Sequence, residues 1–226
     1  MLSQSDPTKE GTPISCSGVV SGALSVPGRS VPSMTAPTTA AGPAEFLRAV
    51  ARLDVAHVRT EIEIGPLPAP ARLAPWSHAL SATLYPAGSD EETASGRMIL
   101  LFDPDGVDAW GGSLRIVVFA TCELDTEIAQ DPLLPEVAWS WLTESLEGSG
   151  AGYSALGGTV TATSSTRFGD IAGPQRADDL EMRASWTADE KTDLHLQAFA
   201  GFLAVAAGLP PEGVTLLQRT DPLQAR

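Results

Sequence analysis

The segment from Arg97 to Leu124 constrains the fold more than any other part of the chain. Its sequence is RMILLFDPDGVDAWGGSLRIVVFATCEL, two apolar runs around a short polar loop. Apolar runs on either side of a turn predict a β-hairpin. Because both runs are almost continuously apolar, we expect two central strands, covered on both faces or on one face and at an interface. On that expectation, a charge placed at Val117 or Phe119 unfolds the protein.

The loop between the two runs carries three carboxylates, Asp103, Asp105 and Asp108. Carboxylate oxygens bind hard cations such as calcium, but this spacing departs from a calcium loop, which has a glycine at its sixth position and a glutamate at its twelfth. Here the glycine is fourth and the twelfth residue is Leu114. Proline and glycine in DPDG are typical of a turn. We interpret the loop as a turn, expect Asp103 and Asp105 to be replaceable at the cost of that turn, and predict no metal site.

Length and composition fit a single globular domain with a tail. The chain has 226 residues, of which 43% are hydrophobic, and a folded unit of about 175 residues buries enough surface to need no disulfide or metal. The formal charge of −14 repels nucleic-acid phosphates and anionic membranes, so neither is an expected partner. No apolar run approaches the roughly 20 residues that a membrane-spanning helix needs.

Cysteine content favours a cytoplasmic protein. Two cysteines, Cys16 and Cys122, are too few for a disulfide framework. Cys122 lies in an apolar strand pattern, where a buried thiol behaves as a small hydrophobic group. The first residues lack the cationic start and the apolar core of a signal peptide.

The chain divides into a tail and a patterned region. Residues 1–42 are mostly Ser, Thr, Pro, Gly and Ala, a composition that cannot offset the entropy of ordering the segment. We predict a disordered tail at 1–42, a single domain at 43–218 and a short C-terminal tail at 219–226. Met1 and Met34 are both open as the translation start.

Hydrophobic periodicity predicts an α+β domain with the order α-β-β-β-β-α-β-β-α. Short connections favour antiparallel pairing, so we expect a mainly antiparallel sheet of about six strands with three helices. The proline-rich residues 65–75 are expected to form a loop, and Thr187 and Glu190 are expected to form a capping box. The expected strands are 57–64, 80–84, the two hairpin runs, 159–166 and 180–186. The first expected helix begins at Pro43, and the second follows Asp131 and reaches about Glu147. The third ends at Ala207, with Gly208 just beyond it.

Four sequence blocks resemble a known family. They are SGRMILLFDPDGVDAWGG, DPLLPEVAWSWLTESL, STRFGDIAG and LHLQAFAGFLAVAAGLPPEGVTLL, and in this order they resemble an uncharacterised actinobacterial family, a domain of unknown function, over about residues 43–218. An alanine- and arginine-rich composition with only two lysines fits a high-GC source. The resemblance implies no activity, so it assigns no catalytic residue.

No motif in the sequence predicts a catalytic centre or a cofactor. The glycines of GSGAG at 148–152 follow an expected helix, whereas phosphate-binding glycines precede one. His57, His78 and His195 have no zinc-ligand spacing, and a G-x-S-x-G nucleophile elbow is absent from the sequence. We therefore predict no catalytic, cofactor-binding or metal-binding residues.

Arg167 is the candidate for anion binding. It follows four hydroxyl residues at 163–166, and a guanidinium beside hydroxyls can hold a carboxylate or a phosphate. The alternatives are an ion pair with Asp170 or a solvated strand end. An enzyme or a small-anion-binding domain with a pocket near Arg167, His57 or His78 is therefore the rival interpretation of function.

Trp139 is the main indication of an interface. A helix turns by about 100° per residue, so Trp139 projects about 200° away from Trp141 and lies beside Leu146. The face of Trp141 is expected to be buried with Leu134, Val137 and Ala138. Another element covers Trp139, or Trp139 belongs to an interface, where tryptophan is enriched.

Trp76 and Trp110, both in expected loops, admit the same two interpretations as Trp139. We predict a non-catalytic cytoplasmic module that binds a protein partner or itself through a surface containing Trp139, Leu146, Trp76 and Trp110.

Overall fold

The computed structural model describes residues 42–170 and 173–212. Apart from Gly42, the tails predicted at 1–42 and 219–226 lie outside the described residues, as do both translation starts and Cys16.

The described residues form an α+β domain, as predicted. All six strands pair antiparallel in the order β1-β2-β3-β4-β6-β5. Four helices are present in this part of the chain rather than three, because a short helix, α2, precedes α3. The elements are α1 (Ala44–Asp54), β1 (Ile62–Leu67), β2 (Trp76–Leu84), β3 (Ala94–Val107), β4 (Gly112–Glu123), α2 (Thr126–Ala129), α3 (Leu134–Ser149), β5 (Tyr153–Thr166), β6 (Arg176–Ala188) and α4 (Thr192–Ala206).

β3 and β4 form the expected hairpin at the centre of the sheet. Within DPDG, the Asp105 backbone N–H donates to Asp103 Oδ1 at 3.1 Å, and Gly106 takes a φ of 75°. These residues form an irregularity in β3 between Phe102 and Val107, and the strand reverses only after Val107. Among the described residues, no group of three His, Cys, Asp or Glu side chains could hold a metal ion.

Helices cover one face of the sheet. In β4 that face carries Ile116 and Val118, both almost fully buried. Phe199 of α4 packs so closely on Gly96 of β3 that a Cβ at Gly96 would lie 2.5 Å from the phenylalanine ring. Phe46 of α1 stacks on Phe102 with ring centroids 6.1 Å apart. The core therefore lies between this face and the helices.

The opposite face of the sheet carries the alternate residues, including Val117 and Phe119. Both are half-buried, and the guanidinium groups of Arg97 and Arg183 lie 5.8 and 5.5 Å from the centre of the Phe119 ring. The expectation that a charge at Val117 or Phe119 unfolds the protein is corrected, because these two side chains point away from the helices. We call this surface the open sheet face.

The bounds of four strands differ from the sequence expectations. β2 begins at Trp76 rather than at residue 80, so Trp76 is in a strand and not in a loop, and β5 begins at Tyr153 rather than at residue 159. β1 starts at Ile62 and continues through Pro66, which an edge strand tolerates because one side of its backbone has no partner strand. β6 extends to Ala188 and pairs with β5, so Thr187 is in a strand and no capping box forms. Instead, Asp189 Oδ1 accepts the backbone N–H of Lys191 at 2.9 Å, just before α4.

Candidate protein-docking surface

Helix α3 carries two apolar stripes rather than one. The first stripe faces the core and is fully or almost fully buried; it comprises Leu134, Ala138, Leu142 and Leu146. The second consists of Val137 and Trp141 together with Leu133, the residue just before the helix. These three are spaced four residues apart, so their side chains lie next to one another along the helix. Because the core-facing stripe already fills the contact with the sheet and α4, the second stripe faces outward.

Neighbouring helices extend this outward stripe. Ile128 of α2, Trp141 of α3 and Val205 of α4 line one cavity of about 460 Å³. The exposed fraction is 45% for Ile128, 56% for Leu133, 39% for Val137 and 41% for Val205. We call the five residues Ile128, Leu133, Val137, Trp141 and Val205 the helical surface. Exposed large apolar side chains grouped in this way are typical of a binding site.

The rim of this surface is acidic. Glu123 and Asp125 line the same cavity as Trp141, and no lysine or arginine is among the described residues that line it. The C-terminal end of α4, with Gly208 beyond it, also lines the cavity, and the carboxyl end of a helix carries partial negative charge. Glu127 of α2 is exposed nearby. The helical surface therefore combines an apolar floor with a negative potential.

Leu146 belongs to the core and not to an interface. Its side chain is fully buried, because the buried stripe of α3 is centred on Ala138 and Leu142. Val137, expected in the buried face, is instead partly exposed. The helix is thus rotated relative to the sequence expectation, and Leu146 is corrected to a core residue.

The three candidate interface tryptophans lie in three different places. Trp139 is half-buried over β5, where a Cβ at Gly158 would come within 2.9 Å of the indole ring. Trp76 is half-buried beside α1, its ring 6.2 Å from that of Phe46. Trp110 lies between β3 and β4, and its carbonyl accepts the Thr187 hydroxyl. The structure does not join these side chains into one surface.

The three residues proposed for an enzyme or anion-binding pocket, His57, His78 and Arg167, do not lie together either. His57 lines a cavity of about 580 Å³ beside α3 and α4, to which neither His78 nor Arg167 contributes. The guanidinium in that cavity, Arg59, donates to Glu61 at 2.9 Å and to the Pro210 carbonyl at 2.7 Å, so internal acceptors already occupy it.

His78 and Arg167 lie elsewhere in the domain. Burial lowers the pKa of His78, against a smaller opposite effect of Asp54. Arg167 donates to the Pro174 carbonyl at 3.1 Å rather than to Asp170. Neither side chain lies in a shared pocket with His57.

Two polar networks hold secondary-structure elements together, one at the surface around Asp178 and one in the core. Asp178 of β6 accepts hydrogen bonds from Arg176, Ser164 and Thr126, and these bonds, led by the one from Arg176, lower the pKa of Asp178 to about 2. Trp186 of β6 donates its indole N–H to His195 of α4 at 3.0 Å. The Asp178 network joins β5, β6 and α2, and the Trp186–His195 bond joins β6 to α4.

A nucleophilic role for Cys122 is disfavoured by its surroundings. The side chain is buried on the helix-covered face, and burial raises the pKa of the thiol to about 12. A thiolate is the reactive form of cysteine, and the raised pKa leaves little thiolate at Cys122 at neutral pH.

Comparison with protein families identifies the domain. A family described as "Protein of unknown function (DUF3000)" matches residues 42–215. The chain belongs to the DUF3000 family. This match covers every described helix and strand. None of the curated proteins and none of the solved structures matches the chain. No helix in the described part of this DUF3000 protein is long and apolar enough to cross a membrane.

The sequence did contain a signal for the helical surface. Leu133, Val137 and Trp141 form a second i, i+4 stripe beside Leu134, Ala138 and Leu142, and a helix that packs on one side needs only one such stripe. The contributions of Ile128 and Val205 depend on how α2 and α4 pack, so periodicity does not reveal them.

Proposed function

We propose that this DUF3000 protein is a non-catalytic module that binds a protein partner through the helical surface, and that the partner presents a basic amphipathic segment. The observation that carries the proposal is the helical surface, in which an exposed apolar stripe continues into a cavity lined by Ile128, Trp141 and Val205. Grouped apolar side chains leave water when a complementary surface covers them, and burial contributes about 25 cal/mol per Å² of apolar area.

The charge around the Trp141 cavity supports a basic partner. Glu123 and Asp125 line it and Glu127 is exposed close by, while the whole chain carries a net charge of −14. Lysine or arginine on the partner would meet this rim, and complementary charge favours fast and specific association. An amphipathic helix suits the site because its apolar side enters the groove while its basic side meets the rim.

The non-catalytic part of the proposal is supported by how the polar groups are used. Arg59 and Asp178 are engaged in internal hydrogen bonds, and the Cys122 thiol is buried. We keep the cytoplasm as the proposed location, because the chain has only two cysteines and disulfides are rare in that compartment. We also propose an actinobacterial source, on the basis of the resemblance and the composition.

Peptide titration tests this function. A synthetic helix with leucines on one side and lysines on the other is titrated into the full chain by calorimetry, beside a peptide with glutamates in place of the lysines and a lysine–leucine peptide of scrambled order. We expect saturable binding of the first peptide only. Equal binding of the scrambled peptide would reduce the interaction to non-specific charge attraction and contradict the proposal.

A further inference from the structure

The two edges of the sheet differ in how well they are protected against further strand pairing. β1 and β5 are the edge strands, and each pairs with a single neighbour in the described part of the chain. β1 has only six residues and contains Glu63 and Pro66. A short strand, a charge and a proline are the devices with which natural edge strands avoid pairing. β5 has fourteen residues, and its regularly paired part, GGTVTATSST at 157–166, contains no proline and no charged side chain.

The backbone of β5 directs hydrogen-bonding groups away from the sheet. Just beyond the strand, the Arg167 N–H donates to the Gln175 carbonyl at 2.7 Å. Every second residue of an antiparallel strand bonds the same neighbour, so the odd-numbered residues from 159 to 165 bond β6. The intervening residues direct their N–H and C=O groups outward; they are Gly158, Val160, Ala162, Ser164 and Thr166. None of the fourteen residues of β5 is buried, so this outward edge is open to another strand.

Trp139 lies beside this edge. A Cβ at Gly158 would lie 2.9 Å from the indole ring, so the glycine is what allows the indole to rest on β5. The tryptophan side chain is only half-buried. A strand added to β5 would lie next to Gly158 and cover more of the indole, and tryptophan is enriched where proteins meet.

We propose that β5 of a second copy of this chain pairs with this edge, antiparallel, across a two-fold axis that passes perpendicular to the sheet at Ala162. Ala162 then lies opposite Ala162 of the second copy, Val160 opposite Ser164, and Gly158 opposite Thr166. In this register every outward N–H meets an outward carbonyl, because all the paired residues belong to the outward set. The side chains that lie side by side are small or hydroxylated, so no like charges oppose each other across the strands.

A second copy suits this edge because the assembly then stops at two. Pairing uses both unprotected edges, and the outer edges of the joined sheet are the two β1 strands with their prolines. A closed two-fold dimer is therefore favoured over an open array. An edge-to-edge contact is narrower than a standard interface of about 800 Å² per partner, so we expect a reversible dimer that dissociates on dilution.

The net charge of −14 does not oppose this contact strongly. The nearest acidic side chains of the sheet, Asp179 and Glu181, are on β6 and not on β5. The β6 strands of the two copies lie three strand spacings apart, about 14 Å, which exceeds the Debye length of about 8 Å at physiological salt. The inference does not depend on the proposed function, since no residue of the helical surface is in β5.

Sedimentation equilibrium on the full chain tests the dimer. We expect the wild type to approach twice the monomer mass as its concentration rises. Ala162→Pro should stay monomeric, because proline removes an outward N–H that β6 does not use, whereas the matched variant Ala162→Val keeps that N–H and should dimerise. Circular dichroism checks that each variant is folded. A wild type that stays monomeric, or a folded Ala162→Pro variant that still dimerises, would overturn the proposal.

A pair of double variants decides the question if Ala162→Pro does not fold. In the proposed register Thr161 lies beside Thr163 of the second copy, and both residues are exposed. Thr161→Lys with Thr163→Lys should lose the dimer, because lysines then meet across the axis. Thr161→Lys with Thr163→Glu should keep it, because each lysine then meets a glutamate. Equal dimerisation of the two double variants would show that these strands are not neighbours and would overturn the proposal.

Discussion

Trp186 donates its indole N–H to Nδ1 of His195 across 3.0 Å in the centre of the core. Both side chains are fully buried. Since an indole nitrogen can only donate, Nδ1 must be the acceptor and the ring proton is on Nε2, which lies 3.3 Å from Asp189 Oδ1. His195 is therefore neutral in the folded protein, and protonation of Nδ1 would break the bond that joins β6 to α4.

This bond predicts a loss of stability in mild acid. Burial lowers the pKa of His195, while Asp189 and Asp193 act in the opposite direction by a smaller amount. Below the unfolded-state pKa of about 6.5, the unfolded chain binds a proton that the folded chain does not, so the free energy of unfolding decreases by up to about 1.4 kcal/mol per pH unit. Above that pH the contribution is complete.

Urea unfolding between about pH 7.5 and 5.5 measures this effect, since the window spans the unfolded-state pKa of histidine. The matched variant is His195→Gln, which keeps an acceptor for Trp186 but has no titrating group. We expect a flatter pH dependence in the variant; equal slopes would exclude His195 as their source.

A charge should destabilise the fold at one residue of β4 and be tolerated at the next. Val118 faces the helices and is almost fully buried, so Val118→Asp is expected to destabilise the fold by about 4 kcal/mol or more. Phe119→Asp points to the open sheet face and should leave the monomer folded. Circular dichroism and thermal unfolding compare the two variants, and unfolding of both would mean that the open face is part of the core.

Two glycine-to-alanine changes should shift the free energy of unfolding in opposite directions. A Cβ at Gly96 would lie 2.5 Å from the Phe199 ring and 2.8 Å from the Phe119 carbonyl, so Gly96→Ala is expected to cost about 1–3 kcal/mol through overpacking. Gly148 lies in α3 with open space around it, and alanine there should stabilise the helix by about 0.5–1 kcal/mol. A melting temperature that does not fall in Gly96→Ala would contradict the packing of Phe199 on β3, and one that does not rise in Gly148→Ala would contradict the open space around Gly148.

Cys122 should resist alkylation in the native protein. Its thiol is buried with a pKa raised to about 12, so little thiolate is present at pH 8. Mass spectrometry after iodoacetamide treatment should find Cys122 unmodified in the native state and modified in urea. Rapid native labelling would show that β4 is accessible on its helix side.

Sequence periodicity predicts a strand correctly where one of its faces is buried in the core and the other faces solvent. Leu180, Met182, Ala184 and Trp186 alternate with polar residues, and all four are buried in β6. The same reasoning failed at residues 57–61, where alternation occurs without a strand partner, and at Pro66, where an edge strand accepts proline. Whether a segment pairs with a neighbouring strand depends on tertiary structure, so the alternation of polar and apolar residues alone does not predict it.

The candidate site depends on tertiary packing even more strongly. Helical periodicity places Val137 and Trp141 in the core. This prediction is wrong for Val137 because α3 is apolar over much of its circumference, and periodicity does not show which apolar stripe packs on the sheet. The same ambiguity made Leu146 an interface candidate. Only the positions of α2 and α4 show that Trp141 lies in a cavity shared with Ile128 and Val205.

The most direct test of the helical surface compares Val137→Asp with Val55→Asp. Both changes add one negative charge at an exposed valine, but Val55 lies at the end of α1, outside the helical surface. If the amphipathic lysine–leucine peptide binds through apolar contact with α3, Val137→Asp should weaken its affinity by about tenfold or more, since the new carboxylate would lose its hydration when the apolar side of the peptide covers it. Val55→Asp should bind as the wild type does. If both variants bind the peptide equally well, charge alone drives the interaction and the helical surface is not the docking site.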